Sequence, residues 1–177
     1  ILAVSYFVLK NYVVLGGQLF PRNRETLDLR DQALTAEEYD TLGWKMPGTE
    51  ILWSVPLSGG YSDSTAEALT VTRFQHADVE KLAYFPNLKT VDAGACTDYA
   101  ALVEAYRQYP DIEFRFTLPI AGERYAPDAE TVTLGSLTQE DIRMMELLPD
   151  LTRVDGRGCR EFALLSQLQQ QHPQWQV

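Results

Sequence analysis

The sequence has few of the side chains that carry out nucleophilic, acid–base or metal chemistry. It contains only two cysteines and two histidines among its 177 residues. The patterns HExxH, CxxC and GxSxG are all absent, so the motifs of common metalloenzymes, redox proteins and acyl-transfer enzymes have no counterpart. We therefore expect a non-enzymatic protein with no catalytic residue, no metal site and no cofactor.

Basic residues are also scarce. The chain has 15 lysines and arginines against 25 aspartates and glutamates, which gives a net charge of −10. A nucleic-acid backbone repels such a surface unless the cations are gathered on one face, and no such cluster is visible along the chain. We therefore expect no nucleic-acid partner. Hydrophobic residues make up 45% of the sequence, which is enough for the core of one domain.

No uninterrupted apolar run reaches the length of about 20 residues that a membrane-spanning helix needs. The most apolar stretch, residues 1–20, is interrupted by Lys10. Residues 1–24 are therefore either the end of a membrane anchor, with Lys10, Asn11 and Tyr12 at the interface, or an apolar cap on the domain. Because the chain begins with Ile1, we expect it to be part of a longer protein. Anchoring through residues 1–20 would place the domain in the cell envelope, outside the cytoplasm.

Two segments of the chain have similar sequences. Residues 85–96 read FPNLKTVDAGAC, and residues 148–159, which lie 63 positions later, read LPDLTRVDGRGC. The same offset aligns further residues without a gap: Glu67 with Glu130, Pro86 with Pro149, Asp92 with Asp155, Cys96 with Cys159 and Pro110 with Pro173. This regularity indicates an internal repeat of 63 residues.

Each repeat contains short strands separated by helices or loops. Apolar residues alternate at Ile112, Phe114, Phe116 and Leu118, and Thr138 before two acidic residues indicates a helix start. Strands separated by such connections pair in parallel, and repeated units stack along one axis. The sequence therefore predicts an α/β solenoid over residues 25–177. Its single curved parallel sheet would have about seven to eight strands, with helices and loops on the opposite side.

The strand segments resemble leucine-rich repeats. Residues 88–96 and 151–159 share the pattern L-x-x-V-x-A/G-x-x-C, which is similar to the motif L-x-x-L-x-L-x-x-N/C of that family. Residues 25–31, ETLDLRD, look like another strand of the same kind, so the resemblance covers residues 25–177. It points to an irregular, bacterial-type member of the family. The resemblance implies that a protein partner binds the exposed strand face and that no catalysis takes place.

The two cysteines invite a disulfide, but their spacing argues against one. Cys96 and Cys159 occupy equivalent positions that are three predicted strands apart, and about 4.8 Å per strand separates them by roughly 14 Å. A disulfide needs Cα atoms within about 7 Å of each other. We expect two free thiols that pack as small apolar groups in the turns after their strands.

The remaining candidate functional segments are two glycine-containing loops and the last residues of the chain. Gly59–Gly60 and residues 121–130 are not followed by the helix start that a phosphate site uses, so we expect turns there. Tyr61 and Tyr125 lie in the loops after the third strands, where exposed tyrosines are common at interfaces. We expect Trp175 and Val177 to begin a short strand that leaves an edge with unpaired backbone groups. Either the natural chain continues beyond it, or the short strand itself protects the edge.

The outward side chains of the predicted strands form the candidate binding surface. Successive side chains alternate between the two faces of a strand, so neighbours of inward apolar residues point outward. The candidate partner-binding face comprises Asp28, Arg30, Glu50, Ser54, Thr70, Thr72, Asp92, Glu113, Arg115, Thr131, Thr133, Arg153 and Asp155. Its mixture of acids, arginines and threonines also suits a face that is only solvated.

These observations lead to one expected function and two rivals. We expect a non-catalytic protein-binding or scaffolding module that presents the polar strand face to a protein partner. The alternative is a structural spacer that holds another domain away from a membrane. An enzyme is the third expectation, because neither histidine is expected beside a nucleophile.

Overall fold

Short strands alternate with short helices along the chain. The computed structural model describes residues 10–177. These residues fall into two compact units, which are treated separately below. Unit 1 takes the described residues up to Leu69 together with Glu80–Leu88, and unit 2 takes Thr70–Val79 and Lys89–Val177.

Unit 1 begins with a β-hairpin. Strands β1 (Tyr12–Leu15) and β2 (Gln18–Pro21) pair antiparallel, and Val13 and Phe20 are buried opposite each other. The two-residue turn Gly16–Gly17 has φ angles of 56° and 80°, which fit a hairpin turn that glycine adopts without strain. Residues 12–20 therefore form a hairpin, and the anchor expected through residues 1–20 stays an expectation. Residues 1–9 lie outside the described part of the chain, and within that part no helix has the length and apolarity to cross a membrane.

The remainder of unit 1 is a small mixed sheet with one helix and one 3₁₀ turn. Its elements are β3 (Thr26–Leu29), α1 (Ala36–Lys45), β4 (Glu50–Leu57), β5 (Gly60–Asp63) and the 3₁₀ turn Glu80–Tyr84. Strand β4 pairs parallel with β3 and antiparallel with β5. Helix α1 begins at a capping box in which Thr35 and Glu38 satisfy each other's backbone N–H groups.

Inward-facing and outward-facing residues alternate along β4, and the inward-facing ones form the core of unit 1. Its inward residues are buried, and Trp53 is fully buried. The Trp53 ring stacks on Tyr39 at a centroid distance of 4.3 Å and meets the edge of Tyr84 at 5.2 Å. Such aromatic contacts add to the energy of area burial, so this cluster fixes α1 and the 3₁₀ turn against β4.

Unit 2 contains the other elements. They are β6 (Ala68–Thr70, whose first two residues belong to unit 1), α2 (His76–Val79), β7 (Thr90–Asp92), α3 (Tyr99–Gln108), β8 (Glu113–Arg115), β9 (Leu118–Ile120), β10 (Glu123–Tyr125), β11 (Thr131–Thr133), α4 (Gln139–Leu147), β12 (Arg153–Asp155) and α5 (Phe162–Gln171). Strands β7 and β8 pair in parallel, as do β11 and β12. Strands β9 and β10 form an antiparallel hairpin.

The elements recur at the offset seen in the sequence. Helices α1, α3 and α5 begin at residues 36, 99 and 162, and strands β6 and β7 recur 63 residues later as β11 and β12. The helix start predicted at Thr138 is confirmed, because Thr138 caps α4 in a capping box with Asp141. Of the predicted inward positions, Phe114, Phe116 and Leu118 are buried, whereas Ile112 is half-buried.

The predicted solenoid with a single curved parallel sheet is wrong. Residues 10–177 form five small sheets of two or three strands, and three of them contain antiparallel pairs. Val91 in β7 and Val154 in β12 lie in different sheets. The architecture that the resemblance to leucine-rich repeats implied is therefore corrected to an α/β fold with small, separate sheets.

Hairpins between the parallel strand pairs explain why the strands do not form the single sheet that was predicted. The second half of β4 turns back into β5, and β8 is followed by the β9–β10 hairpin. Pro56 and Pro119 lie in these hairpins and have no N–H to continue a ladder. In the second hairpin Ala121 and Gly122 adopt φ angles of 52° and 85°, which reverse the chain within two residues. The parallel ladders β3–β4 and β7–β8 therefore end where a hairpin begins.

Candidate functional site

The predicted strand-face residues are divided between the two units. Those of unit 1 are Asp28, Arg30, Glu50 and Ser54, and those of unit 2 are Thr70, Thr72, Asp92, Glu113, Arg115, Thr131, Thr133, Arg153 and Asp155. All are exposed except Ser54 and Asp155, which are half-buried. The structure therefore offers one polar strand face in unit 1. In unit 2 the outward polar residues lie on two separate sheets, β6–β7–β8 and β11–β12, which are together called the strand face of unit 2.

An ion-pair cluster organises the strand face of unit 1. The Arg30 guanidinium donates through Nε to Asp28 Oδ1 at 2.9 Å and through Nη1 to Asp63 Oδ2 at 3.0 Å. Its Nη2 makes a second bond to Asp28, at 2.5 Å to Oδ2. The Ser54 hydroxyl donates to the Arg30 carbonyl at 2.8 Å. Side-chain and backbone hydrogen bonds from Arg30 lower the pKa of Asp28 to about 2, so the cluster stays ionised in neutral solution.

Asp63 ties this cluster to the end of β5. Its Oδ1 accepts hydrogen bonds from the Thr65 backbone at 2.9 Å and from the Thr65 hydroxyl at 2.8 Å. These bonds, the first of them above all, and the contact with Arg30 lower the pKa of Asp63. The sequence pattern did not assign Asp63 to the face, because the segment after Gly60 was read as a loop. Two short polar residues after a Gly-Gly turn are the signal that could have indicated a returning strand.

Tyr61 stands on the same face, two residues before Asp63. It lies opposite Pro56 in the β4–β5 register, and 60% of its surface is exposed. Residues two apart on a strand project from the same side, so Tyr61 and Asp63 are neighbours on one surface. The strand face of unit 1 thus combines an exposed aromatic ring with a fixed arginine and two carboxylates.

The strand face of unit 2 is polar and paired within itself. The Arg115 side chain donates to Glu113 at 2.9 and 3.2 Å, and Arg157 donates to Asp155 at 2.9 and 2.5 Å. The hydrogen bonds from Arg157 lower the pKa of Asp155 to about 2. Arg157 was missed because it follows the last strand residue, but a D-x-R pattern at both ends of the chain could have indicated it. Exposed pairs of this kind contribute little stability.

A recurring turn follows four of the strands. Asp28, Asp63, Asp92 and Asp155 each accept, through Oδ1, the backbone N–H of the residue two positions later, at 2.9 to 3.2 Å. A short side chain that bonds its own backbone in this way ends a strand and begins a turn. The acidic residues of the predicted face therefore have a structural role in addition to their exposure.

Both cysteines lie in these turns, and the prediction of free thiols is confirmed. Cys96 and Cys159 are buried and not bonded to each other. The Cys96 thiol donates to the Val71 carbonyl at 3.3 Å, and the Cys159 thiol donates to a Glu161 carboxylate oxygen at 3.0 Å. Burial raises the pKa of both thiols, and the negative charges of nearby acids raise it further. Both effects disfavour the thiolate form.

Helix α1 carries an exposed residue that the strand pattern could not indicate. Trp44 is 82% exposed, and Glu37, Asp40 and Thr41 line the shallow depression beside it. Exposed tryptophan is uncommon on a surface without a partner. The outer face of α1 is therefore a second candidate surface in unit 1.

Within residues 10–177 no three histidine, cysteine or acidic side chains converge as a metal site would require. No family model, curated protein or solved structure matches this chain. The functional argument therefore depends on the geometry of the surfaces described above.

Proposed function

We propose that this protein is a non-catalytic protein-binding module and that the strand face of unit 1 is its binding surface. The observation that carries the proposal is the fixed cluster of Arg30, Asp28 and Asp63 beside the exposed Tyr61. Tyrosine and arginine are enriched at the energetic centres of protein interfaces, whereas most surrounding contacts contribute little.

The ordering of Arg30 supports this role. Immobilising a flexible side chain on binding costs about 0.5–1.5 kcal/mol. Arg30 is already held by both carboxylates, and its side chain remains 40% exposed. The guanidinium is thus accessible in a single orientation before a partner arrives, and much of the ordering cost has already been met by folding.

The charge of the cluster indicates what a partner must present. Two carboxylates surround one guanidinium, so the cluster has a net negative charge. A complementary surface would place a cation near Asp28 or Asp63 and an apolar group against the Tyr61 ring. The overall charge of −10 acts in the same direction, because it speeds the approach of a basic partner.

The test compares Tyr61→Ala with Trp44→Ala. Both side chains are exposed, so neither change should alter the fold, which circular dichroism would verify. Partners captured from cells of the source organism are then titrated against each variant. We expect Tyr61→Ala to weaken binding by about tenfold or more, because truncating such a residue costs about 2 kcal/mol. Unchanged binding by Tyr61→Ala, with loss in Trp44→Ala, would move the site to helix α1 and refute the strand face.

The structural spacer is the second candidate, and the strand face of unit 2 favours it. There Glu113 pairs with Arg115 and Asp155 pairs with Arg157, but among the described residues no strongly exposed aromatic side chain lies on these strands as Tyr61 does in unit 1. Charge reversal of Arg115 and Arg153 separates the two functions. A partner that binds this face would lose affinity, whereas a spacer would be unaffected.

A further inference from the structure

The outer face of the β1–β2 hairpin in unit 1 is apolar. Side chains alternate between the two faces of a strand, and Val13 and Phe20 occupy the buried inner face. The residues of the outer face are Tyr12, Val14, Leu19 and Pro21. Val14 and Leu19 lie opposite each other in the register and are 44% and 53% exposed. Apolar side chains that are grouped in this way mark a contact surface, whereas scattered ones do not.

The hairpin is held against helix α1 at both ends. At the turn, a Cβ atom on Gly16 would lie 3.6 Å from the Glu38 carboxylate. At the open end, Arg22 Nη1 donates to the Lys45 carbonyl at 3.0 Å, and the Arg22 N–H donates to the Asn11 carbonyl at 2.8 Å. The outer face therefore has a fixed shape before anything binds it.

Basic residues flank the open end of the hairpin. Residues 1–24 contain Lys10, Arg22 and Arg24 and no acidic residue, whereas the whole chain has a net charge of −10. All three basic side chains are exposed, and within residues 10–177 none of them forms an ion pair with a carboxylate. The hairpin is thus a basic and apolar surface on an acidic protein.

An anionic lipid bilayer matches both properties of this surface. The bilayer interface takes up apolar side chains to a depth of about 5–10 Å, and each lysine or arginine near an anionic leaflet strengthens the attraction. Acidic groups that lie farther than about 8 Å from the lipid are largely screened at physiological ionic strength. A second copy of the hairpin would bring like charges together, and a nucleic acid would leave the apolar face in water.

We infer that the outer face of the hairpin docks on the surface of an anionic lipid bilayer. Val14 and Leu19 insert among the lipid headgroups, and Lys10, Arg22 and Arg24 lie beside the anionic groups of the lipids. The contact stays within the interface and requires no membrane-spanning helix. It uses residues outside the strand face of unit 1, so it goes beyond the proposed function.

The test measures co-sedimentation of the 177-residue protein with lipid vesicles. Vesicles of phosphatidylcholine mixed with phosphatidylserine are compared with vesicles of phosphatidylcholine alone. We expect the mixed vesicles to bind the protein at least about tenfold more tightly, because each basic residue near the leaflet adds to the attraction. Added salt should weaken the binding, because it screens the charges.

Two double variants test the two parts of the surface. Val14→Thr with Leu19→Thr removes apolar groups and keeps residues that favour strands, and it should weaken vesicle binding by about tenfold. Lys10→Gln with Arg24→Gln should weaken it by about tenfold as well. Arg73→Gln, which changes an exposed basic residue of unit 2, is the matched control and should leave the affinity unchanged. Tyr61→Ala should also bind vesicles normally, which separates this inference from the proposed function.

A fluorescent label reports the docked face directly. Because Cys96 and Cys159 are buried, an environment-sensitive fluorophore attaches to a thiol introduced by Leu19→Cys or by Gln18→Cys. These neighbours project from opposite faces of β2, so the mixed vesicles should raise the fluorescence more at position 19 than at position 18.

Three results would overturn the inference: equal vesicle binding by the parent protein and the Val14→Thr, Leu19→Thr variant, equal binding to both kinds of vesicle, or no vesicle binding. A face that is covered by residues 1–9 or by a second copy of the chain would give the last of these results. Analytical ultracentrifugation would then identify the second copy, because the Val14→Thr, Leu19→Thr variant would be a monomer.

Discussion

Asp141 joins the β9–β10 hairpin of unit 2 to helix α4, and its replacement gives a sharp test of that connection. One carboxylate oxygen, Oδ1, accepts the Ala121 N–H at 2.6 Å. The other, Oδ2, accepts the Thr138 N–H at 2.8 Å and the Thr138 hydroxyl at 2.6 Å. One side chain therefore closes the capping box and holds a residue in the left-handed region.

The expected loss follows from these bonds. Removing a helix cap costs about 1 kcal/mol, and a hydrogen bond to a charged acceptor contributes about 1.5–3 kcal/mol. Asp141 is half-buried, so we expect Asp141→Ala to lower the free energy of unfolding by about 2–3 kcal/mol. Asp141→Asn keeps an oxygen but loses the charge, and it should cost about half as much. Glu140→Gln on the same helix turn is the control and should cost less than about 0.5 kcal/mol.

The pH dependence gives a second readout. Although burial acts in the opposite direction, hydrogen bonds from Thr138 and Ala121 lower the pKa of Asp141 below its ordinary value of 3.8. A carboxyl whose pKa is lowered by folding stabilises the protein above its unfolded pKa, and this contribution is lost as the pH falls through the folded pKa. Asp141→Asn should therefore flatten the stability profile below about pH 4.

Urea unfolding of the protein, followed by circular dichroism between pH 3 and 7, measures both effects. A loss for Asp141→Asn no larger than that for Glu140→Gln, with the same pH profile as the parent protein, would refute the reasoning. It would show that the hairpin and the helix start are held by other contacts.

Two further predictions concern the turns. Cys96 and Cys159 should react slowly with iodoacetamide at neutral pH in the native protein and quickly in denaturant, because burial raises the pKa of both thiols. Rapid native labelling of either one, detected by mass spectrometry, would contradict their role as packing groups. Ala121→Gly should raise the free energy of unfolding by about 0.5–1 kcal/mol, because Ala121 has a φ angle of 52° that glycine adopts without strain. A destabilised variant in the same urea assay would show that the turn is not strained.

Local patterns in the sequence predicted individual elements well. The capping residues of α4 and the alternation through Phe114 and Phe116 reflect short-range physics, and the structure has both. The turn positions of the cysteines also followed from the repeat, whereas their free state was predicted correctly from a distance that assumed a single sheet. These features depend on residues that lie close together in the chain, so a single sequence is enough to indicate them.

The arrangement of the sheets could not be obtained in the same way. Parallel pairing was correctly expected between neighbouring strands such as β7 and β8, but the ladder was wrongly extended through the hairpins. Pro119 and the Ala121–Gly122 turn carry the local signal for the interruption. Their effect on the sheet depends on whether β10 pairs with β9 or extends the neighbouring parallel sheet. Tertiary contacts decide between these two arrangements.

Only part of the candidate site was predicted, because chain reversals place the other residues there. Asp28 and Arg30 were placed on the strand face from alternation alone, and the structure shows that they bond each other. Asp63 and Tyr61 reach the same face only because β5 folds back onto β4. A residue that joins a face through a chain reversal is not related by strand alternation to the other residues of that face. The sequence pattern of the face therefore does not indicate it.

The proposed binding surface can be tested most directly by hydrogen–deuterium exchange with and without a captured partner. The account predicts slower exchange of backbone amides in residues 52–65, which carry Tyr61 and Asp63, and little change in helix α1. Slower exchange confined to α1 around Trp44, with residues 52–65 unchanged, would contradict it.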